Sequence, residues 1–249
     1  MCSKPHNFCP LWPKSTGMTM THWLERGWNA LWECLGPRTC AACAEDLDDQ
    51  AASGQLCRDC LALCEPCPRD VTGLPPDAPR CLSGFVYEGA LATAMQRLKW
   101  QGRDDLARPL GQLLSPLLAE VAQTCDWLVP VPLHPQRLRL RGYNQATLLA
   151  REARRACPSA QALRLQPGLL TTTRAMAPAH QLGRQARFQR VESQFSVPRR
   201  MNEKVAGSRI VLVDDVITTG ATVTACATAL KTAGAVEITA LSLLRVIKA

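Results

Sequence analysis

From Gly84 onward, the sequence predicts an α/β fold in which a parallel sheet is flanked by helices. Strand-like and helix-like stretches alternate along this part of the chain, as they do in proteins with parallel sheets. The stretch Ile210 to Val213 is continuously apolar, which is typical of a strand buried on both faces of such a sheet. The chain has 249 residues, of which 47% are hydrophobic and 20% charged, so it has the composition of a folded globular protein.

Each predicted element follows from its local pattern of apolar residues and turn residues. A Pro- and Arg-rich loop is predicted between the second strand and the third helix. In chain order, the elements are a strand at Phe85 to Tyr87, helices at Gly89 to Trp100 and Asp104 to Gln123, a strand at Trp127 to Pro132, a helix at Asn144 to Ala156, a strand at Arg209 to Asp215, a helix at Gly220 to Ala233 and a strand at Val236 to Val246.

The sequence divides into three regions, residues 1–35, 36–83 and 84–249. Residues 1–35 are irregular at first and then place Trp28, Leu31, Trp32 and Leu35 at helical spacing. This amphipathic stretch could touch a membrane or dock onto the rest of the protein, and we assign it no function. Residues 36–83 form a cysteine-rich module, and residues 84–249 form the α/β domain.

The cysteine-rich module contains pairs of cysteines at the spacing of a metal site. Two CxxC turns about 13 residues apart can close a tetrahedral site of four sulfurs, and zinc fits such a site best. An iron–sulfur cluster and a thioredoxin-like redox pair are the alternatives, but no strand precedes Cys40 as a redox pair would require. The predicted ligands are Cys40, Cys43, Cys57 and Cys60, and three further cysteines, Cys64, Cys67 and Cys81, leave a second site open.

The charge is unevenly distributed along the chain. The formal net charge is +8, yet Cys40 to Cys81 carries eight acidic residues against three arginines, whereas His134 to Arg200 carries thirteen arginines against two glutamates. Arginine suits bidentate phosphate contact, so the middle of the chain favours anionic partners. We find no apolar stretch of about 20 residues and no signal-peptide pattern, and we therefore expect a cytoplasmic protein whose cysteines are reduced or bind metal.

The stretch Val211 to Thr222, VLVDDVITTGAT, carries the chemistry. An apolar strand ends in two carboxylates, Asp214 and Asp215, and turns through threonines and a glycine into a helix. Ligands of open α/β sheets bind beyond the carboxyl ends of the strands. Carboxylates are good acceptors for the hydroxyls of a vicinal diol, and a Gly/Thr loop at a helix N-terminus suits a phosphate.

This stretch closely resembles the phosphoribosyl pyrophosphate (PRPP) signature of type I phosphoribosyltransferases. The resemblance implies that Asp214 and Asp215 hold the ribose hydroxyls and that the loop after them holds the 5′-phosphate. It also implies that Mg²⁺ accompanies the pyrophosphate. The PRPP-binding residues so predicted are Val213, Asp214, Asp215, Thr218, Thr219, Gly220, Ala221 and Thr222.

A second stretch, Val129 to Ala146, resembles the ComF family, in which a VP(V/I)P strand is followed by an Arg-Gly-aromatic-Asn-Gln run. That run is Arg141 to Gln145 here. The four-cysteine module, this run and the PRPP signature occur in the order of that family, so the sequence is identified as a member of it. The resemblance covers Cys40 to Arg245 and implies a type I phosphoribosyltransferase fold with an N-terminal zinc module.

The family also implies where the remaining PRPP contacts lie. Val131 to Arg139 would be the pyrophosphate loop, with a solvated basic loop as the alternative, and Lys99 would contact substrate unless it is a surface lysine. Leu169 to Phe195 resembles a lid that carries Arg174, Arg184, Arg187 and Arg190. The predicted pyrophosphate ligands are Arg137, Arg139, Arg141 and Lys99, and the predicted catalytic residues are Asp214, Asp215 and Arg141.

Three functions are compatible with these motifs. The first is a Mg²⁺-dependent phosphoribosyltransferase with an unknown acceptor. The second, implied by ComF membership, is an accessory of DNA uptake that binds single-stranded DNA and works with the competence machinery. The third is a PRPP-responsive regulator. Aromatic residues make up only 5% of the chain, which weakens the case for a dedicated single-strand groove.

Overall fold

The computed structural model describes residues 39–47, 56–69, 73–172 and 194–247. The N-terminal segment 1–35 lies outside the described residues. Residues 38–249 form one compact unit that includes both the cysteine-rich module and the sheet. Within the described ranges, every helix is too short or too polar to cross a membrane.

Five parallel strands form the central sheet, in the order β1-β7-β6-β2-β3, and the α/β fold is confirmed. The longest are the two central strands, which pair over their whole length. Two short strands form a separate antiparallel pair. The strands are β1 (Arg80–Val86), β2 (Trp127–Pro130), β3 (Arg164–Leu165), β4 (Thr171–Thr172), β5 (Phe195–Ser196), β6 (Arg209–Ile217) and β7 (Glu237–Arg245).

Helices cover both faces of the sheet. The helices are α1 (Arg58–Ala62), α2 (Gly89–Trp100), α3 (Ala107–Val121), α4 (Pro135–Arg141), α5 (Gln145–Ala156), α6 (Asn202–Val205) and α7 (Ala221–Thr232). On one face, α2, α3 and α5 share a core with Val211, Val213 and Leu241 of the central strands. On the other, α7 packs over Ile210 and Leu212. Alternate residues of each central strand thus enter opposite cores, as the apolar run predicts.

Helices α3 and α5 pack unusually closely at Gly111. A Cβ atom built on Gly111 would lie 2.6 Å from Cβ of Glu152 and 3.0 Å from the backbone nitrogen of Ala153. The absence of a side chain at Gly111 therefore sets the distance between the two helices.

Two predicted strand boundaries are wrong. Strand β1 begins at Arg80 rather than Phe85, because the whole stretch pairs with β7 as an edge strand. Strand β6 continues past Asp215 to Ile217, because Val216 and Ile217 still pair with the last strand. Both carboxylates thus lie inside a strand near its carboxyl end.

The predicted Pro- and Arg-rich loop is largely a helix, α4. Pro135 occupies its first turn, where a missing N–H costs nothing, and His134 caps it by accepting from the backbone N–H of Gln136 at 3.2 Å. Gly142 ends the helix in the left-handed region at φ 83°. The predicted pyrophosphate loop Val131 to Arg139 is therefore a loop only up to His134.

The cysteine-rich module docks on the outer edge of the sheet. The backbone N–H of Cys67 donates to the carbonyl of Gly84 at 3.0 Å, and that of Val86 donates to the carbonyl of Glu65 at 2.9 Å. A guanidinium N–H of Arg97 in α2 donates to the carbonyl of Ala41 at 3.1 Å. The module thus covers the backbone groups that strand β1 would otherwise leave unpaired.

Candidate active site

The two carboxylates lie next to each other at the carboxyl end of β6. An Oδ1 atom of Asp214 accepts from the backbone N–H of Asp215 at 2.9 Å, and Oδ1 of Asp215 accepts from that of Val216 at 2.7 Å. Burial, followed by the negative charge of Asp215, raises the pKa of Asp214 to about 8. Burial and the neighbouring charge therefore favour the protonated form of Asp214 in the free protein.

Lys99 reaches this pair from the last turn of α2. Its Nζ atom lies 2.9 Å from Oδ2 of Asp215, and the side chains are 19% and 5% exposed, respectively. Lys99 is thus a partly buried residue in an ion pair with Asp215. The ion pair compensates the charge of a carboxylate that the sheet and helices shield from water.

The loop after β6 leaves its polar groups open. Thr218, Thr219 and Thr222 are exposed, whereas Gly220 is buried and has a φ of 77°. A Cβ atom on Gly220 would also lie 2.4 Å from a methyl group of Leu74, so glycine is required on two grounds. Helix α7 starts at Ala221 without a strong side-chain cap, and its first N–H groups face this loop.

Arg141 lies at the end of α4 between the sheet and an exposed tryptophan. Its guanidinium carbon lies 4.8 Å from the centre of the Trp100 ring, and an N–H group donates to the side-chain oxygen of Gln145. Burial lowers the pKa of Arg141, and the nearby charge of Asp215 acts in the opposite direction. Arg141, Lys99 and Asp215 therefore belong to one electrostatic group.

The other residues of the Arg-Gly-Tyr-Asn-Gln run fix the geometry around this group. The hydroxyl of Tyr143 donates to the carbonyl of Leu98, one residue before Lys99. The Asn144 side chain caps α5 by accepting from the N–H of Ala146 at 3.0 Å and donates to the carbonyl of Val131 at 2.9 Å. The run thus connects α2, the end of β2 and α5.

The other two predicted pyrophosphate ligands are more exposed. Arg137 is one helical turn before Arg141 on α4 and contributes to its electrostatic surroundings, so these two residues share a face. Arg139 is exposed and belongs to a different face of the same helix. The predicted lid arginines, from Arg174 to Arg190, lie outside the described residues, but β4 and β5 pair on either side of them.

The four predicted metal ligands converge in the cysteine-rich module. The sulfur atoms of Cys40, Cys43, Cys57 and Cys60 all lie within 4.8 Å of one another. The sulfurs of Cys43 and Cys57 are 3.8 Å apart, which is about the separation that Zn–S bonds of about 2.3 Å require in a tetrahedron. The donor set therefore fits zinc.

Backbone N–H groups support thiolates at this cluster. Those of Ala42 and Cys57 donate to the sulfur of Cys40 at 3.4 and 3.3 Å, and that of Cys60 donates to the sulfur of Cys57 at 3.4 Å. Burial alone would raise the pKa of Cys40, but these hydrogen bonds outweigh it and bring the pKa to about 6. A thiolate is the form that binds metal.

The further cysteines do not form a second cluster among the described residues. The thiol of Cys64 donates to the carbonyl of Cys60 at 3.1 Å, and that of Cys81 donates to the carbonyl of Pro79 at 3.2 Å. Within the described ranges, the group of four cysteines is the one set of metal-binding side chains that converge.

Comparisons with known proteins identify the family of this chain. The family model of the phosphoribosyl transferase domain matches residues 178–248. DNA utilization protein YhgH of Escherichia coli K12 is 32% identical over 171 residues, which cover 66% of this chain and 71% of the relative. The chain belongs to the ComF family. Competence protein F of Haemophilus influenzae is another relative of this ComF protein, 31% identical over 61% of this chain and 66% of the relative.

Two solved structures overlap with the ComF protein over part of its length. One is glutamine PRPP amidotransferase from B. subtilis complexed with ADP and GMP, which is 22% identical with a TM-score of 0.40. The overlap spans 59% of this chain and 30% of that chain. The other is a hypoxanthine phosphoribosyltransferase from Staphylococcus aureus, which is 10% identical with a TM-score of 0.33. The overlap spans 57% of this chain and 64% of that chain.

Sequence reasoning missed two residues of this ComF protein that the fold brings to the site. Trp100 is 71% exposed and stacks with Arg141, and its position directly after Lys99 was the available signal. Arg245 is 3% exposed at the end of the last strand, where an arginine within an apolar run was the signal.

Proposed function

We propose that this protein binds PRPP together with Mg²⁺ at the carboxyl end of β6 and transfers its phosphoribosyl group to an acceptor. The arrangement that carries the proposal is the pair Asp214 and Asp215, with Lys99 bound to Asp215, directly before an open Thr-Thr-Gly loop at the start of α7. Diol acceptors and phosphate donors thus lie next to each other, as a phosphorylated ribose requires.

The residues have distinct roles in this proposal. Asp215, held by Lys99, accepts from a ribose hydroxyl, and the loop from Thr218 to Thr222 binds the 5′-phosphate. Arg141 supplies positive charge for the pyrophosphate. During transfer, the bond between C1′ and the pyrophosphate oxygen breaks, and the pyrophosphate leaves with the electron pair. A bond from a nucleophilic atom of the acceptor to C1′ forms, and any proton that this atom carries is released to water.

Two metals belong to the proposal. Carboxylate oxygens are ligands that Mg²⁺ prefers, so Asp214 and Asp215 suit a Mg²⁺ that arrives with PRPP, where it would neutralise pyrophosphate charge. Zinc would be structural, held by the four cysteines, and would stabilise a short segment that has few core residues. A cytoplasmic location is consistent with thiolate ligands and is part of the proposal.

Calorimetric titration of the zinc-loaded protein with PRPP in Mg²⁺ tests the proposal. We expect saturable binding at one site, and we expect Asp215→Asn to weaken it about 10- to 100-fold, since a hydrogen bond to a charged group contributes about 1.5–3 kcal/mol. Glu203→Gln, which removes an equal charge from an exposed position on α6, should bind as the wild type does. Unchanged PRPP binding by Asp215→Asn would reject the proposed site.

Zinc analysis tests the structural metal. We expect one zinc per chain in the wild type and in Cys81→Ser, and a loss of zinc in Cys57→Ser. Retention of zinc by Cys57→Ser, or a second zinc that Cys81→Ser removes, would contradict the four-cysteine site.

A second candidate function is binding of single-stranded DNA. Trp100 is 71% exposed beside Arg141, and Leu140 on α4 is 89% exposed among arginines. Such a surface combines a ring for stacking with cations for the backbone. The relatives named for DNA utilization and competence agree with this candidate, and the competence machinery would then be a partner.

Oligonucleotide binding at two salt concentrations tests this second function. We expect salt-sensitive binding that Trp100→Ala weakens by about 10-fold or more, since stacking contributes about 1–3 kcal/mol per base. Trp127→Ala is the control. Trp127 is the first residue of β2, where its ring contacts the guanidinium of Arg164 and its indole N–H donates to the carbonyl of Lys204. Equal loss in both variants would contradict a role for the Trp100 surface.

A further inference from the structure

A small cavity lies where the cysteine-rich module meets strands β1 and β7. The space inside it is about 20 Å³, which is room for one or two water-sized groups, and it opens to solvent. Two arginines, a serine, two cysteines and a leucine are among the residues that line it. They are Arg245, Arg69, Ser83, Cys67, Cys81 and Leu74.

Arg245 is a buried cation that lines this cavity. The residue is 3% exposed, and its Nε and Nη1 atoms have no hydrogen-bond acceptor among the described residues. Among the described residues, no carboxylate forms an ion pair with it. A guanidinium keeps its charge in proteins, and a buried charge without a counter-ion costs the folded state several kcal/mol. The arrangement is therefore typical of a site that a negatively charged ligand completes.

The other polar groups of the cavity do not neutralise Arg245. The Ser242 hydroxyl donates to the carbonyl of Leu244 at 3.0 Å, so the Ser83 hydroxyl donates to Ser242 at 2.7 Å and remains neutral. Burial raises the pKa of Cys81 to about 11, and burial also raises the pKa of Cys67. Both thiols are therefore neutral at physiological pH.

Arg69 does not compete for the same ligand charge. Its guanidinium already forms two hydrogen bonds with the Glu120 carboxylate, at 3.2 and 2.5 Å, and its side chain is 57% exposed. The uncompensated charge of the cavity is therefore that of Arg245.

The cavity adjoins the proposed PRPP site. Arg245 pairs in register with Ile217, the residue before Thr218. Leu74, which lines the cavity, packs against Gly220 of the phosphate loop. A ligand in the cavity would thus lie beside bound PRPP.

The register of the sheet gives a second connection between the cavity and the site. Ser83, which lines the cavity, pairs with Ser242, and Ser242 pairs with Asp214. These three side chains occupy one row across strands β1, β7 and β6. The row leads from the cavity to Asp214.

We propose that the acceptor of the phosphoribosyl group is an organic anion and that its carboxylate or similar oxyanion enters this cavity and pairs with Arg245. This inference rests on the proposed transferase function and adds the chemical class of the second substrate. A neutral base would leave the charge of Arg245 buried and unpaired, whereas an anionic acceptor removes that cost on binding.

Matched pairs of probes test the class of acceptor. Nicotinate and nicotinamide, and orotate and uracil, differ mainly in one carboxylate, and acetate and inorganic phosphate report the anion alone. With Mg²⁺ and PRPP present, we expect at least one anion to raise the melting temperature and to bind at least 10-fold more tightly than its neutral partner. We expect Arg245→Met to lose that preference.

The variants separate this inference from the proposed function. Without ligands, Arg245→Met should melt at a higher temperature than the wild type, because an unpaired buried charge is removed, and Arg245→Gln is the second variant should methionine not fold. Arg209→Met, which replaces an exposed arginine, is the control. Equal binding of anions by Arg245→Met, or no anion preference in the wild type, would overturn the acceptor class. Loss of PRPP binding in the wild type would instead reject the transferase function.

Discussion

The ion pair between Lys99 and Asp215 lends itself to a double-mutant cycle with Lys99→Met, Asp215→Asn and the double variant. The charged atoms are 2.9 Å apart. At an effective dielectric constant of about 20, their attraction is about 6 kcal/mol, and desolvation of both groups offsets much of it. We expect a coupling free energy of roughly 2 kcal/mol. Lys99→Met should be the more costly single change, because it leaves the carboxylate of Asp215, which is 5% exposed, without its cation, whereas Asp215→Asn leaves Lys99, which is 19% exposed.

Urea unfolding at pH 7.5 in saturating zinc measures this coupling. The pair Arg103 and Asp105 is the matched control, because its atoms are as close, at 2.8 Å, but its side chains are 30% and 42% exposed. We expect a coupling of less than about 1 kcal/mol there. If the two changes at Lys99 and Asp215 add to within about 0.5 kcal/mol, the carboxylate is not held by the lysine and our reasoning about the site is refuted.

Three further predictions concern stability. The fold raises the pKa of Asp214 to about 8, so the free energy of unfolding that protonated Asp214 contributes is fully present below about pH 4 and is lost as the pH rises to about 8. Asp214→Asn should therefore stabilise the protein by ~2 kcal/mol at pH 8.5 and by less at pH 5.5. A difference in thermal melting that does not change with pH would contradict this. Gly111→Ala should destabilise by about 1–3 kcal/mol in urea, whereas Gly168→Ala, which meets no atom within 4 Å, should not. Ala44 follows the first CxxC turn with a φ of 65°, so Ala44→Gly should stabilise the zinc-loaded protein by about 1 kcal/mol, and a lower melting temperature would contradict this.

The central strand and its loop could be predicted from the sequence because their signal is local. The apolar run before Asp214 specifies a buried parallel strand, and the Gly-Ala step after the threonines starts a helix. The convergence of the cysteines was predictable for the same reason, since each CxxC turn brings two sulfurs together. The sequence predicts a loop in place of helix α4 because this stretch is rich in proline and arginine. Pro135 and Gly142 nevertheless mark the start and the end of a helix.

Contacts between distant parts of the chain could not be predicted in this way. The stacking of Trp100 with Arg141 depends on how α2 and α4 meet, and the hydrogen bond from Tyr143 to the end of α2 sets that meeting. Arg245 is an isolated arginine in the sequence. That Arg245 is buried in a cavity follows only from the docking of the cysteine-rich module on β1.

A crystal structure of the zinc-loaded protein with PRPP and Mg²⁺ would test the central claim most directly. We predict that the 5′-phosphate binds the backbone N–H groups from Thr218 to Thr222, that the ribose hydroxyls contact Asp214 and Asp215, and that the pyrophosphate lies towards Arg141. PRPP bound elsewhere, with Lys99 and Asp215 still paired and the loop empty at saturating ligand, would contradict the account.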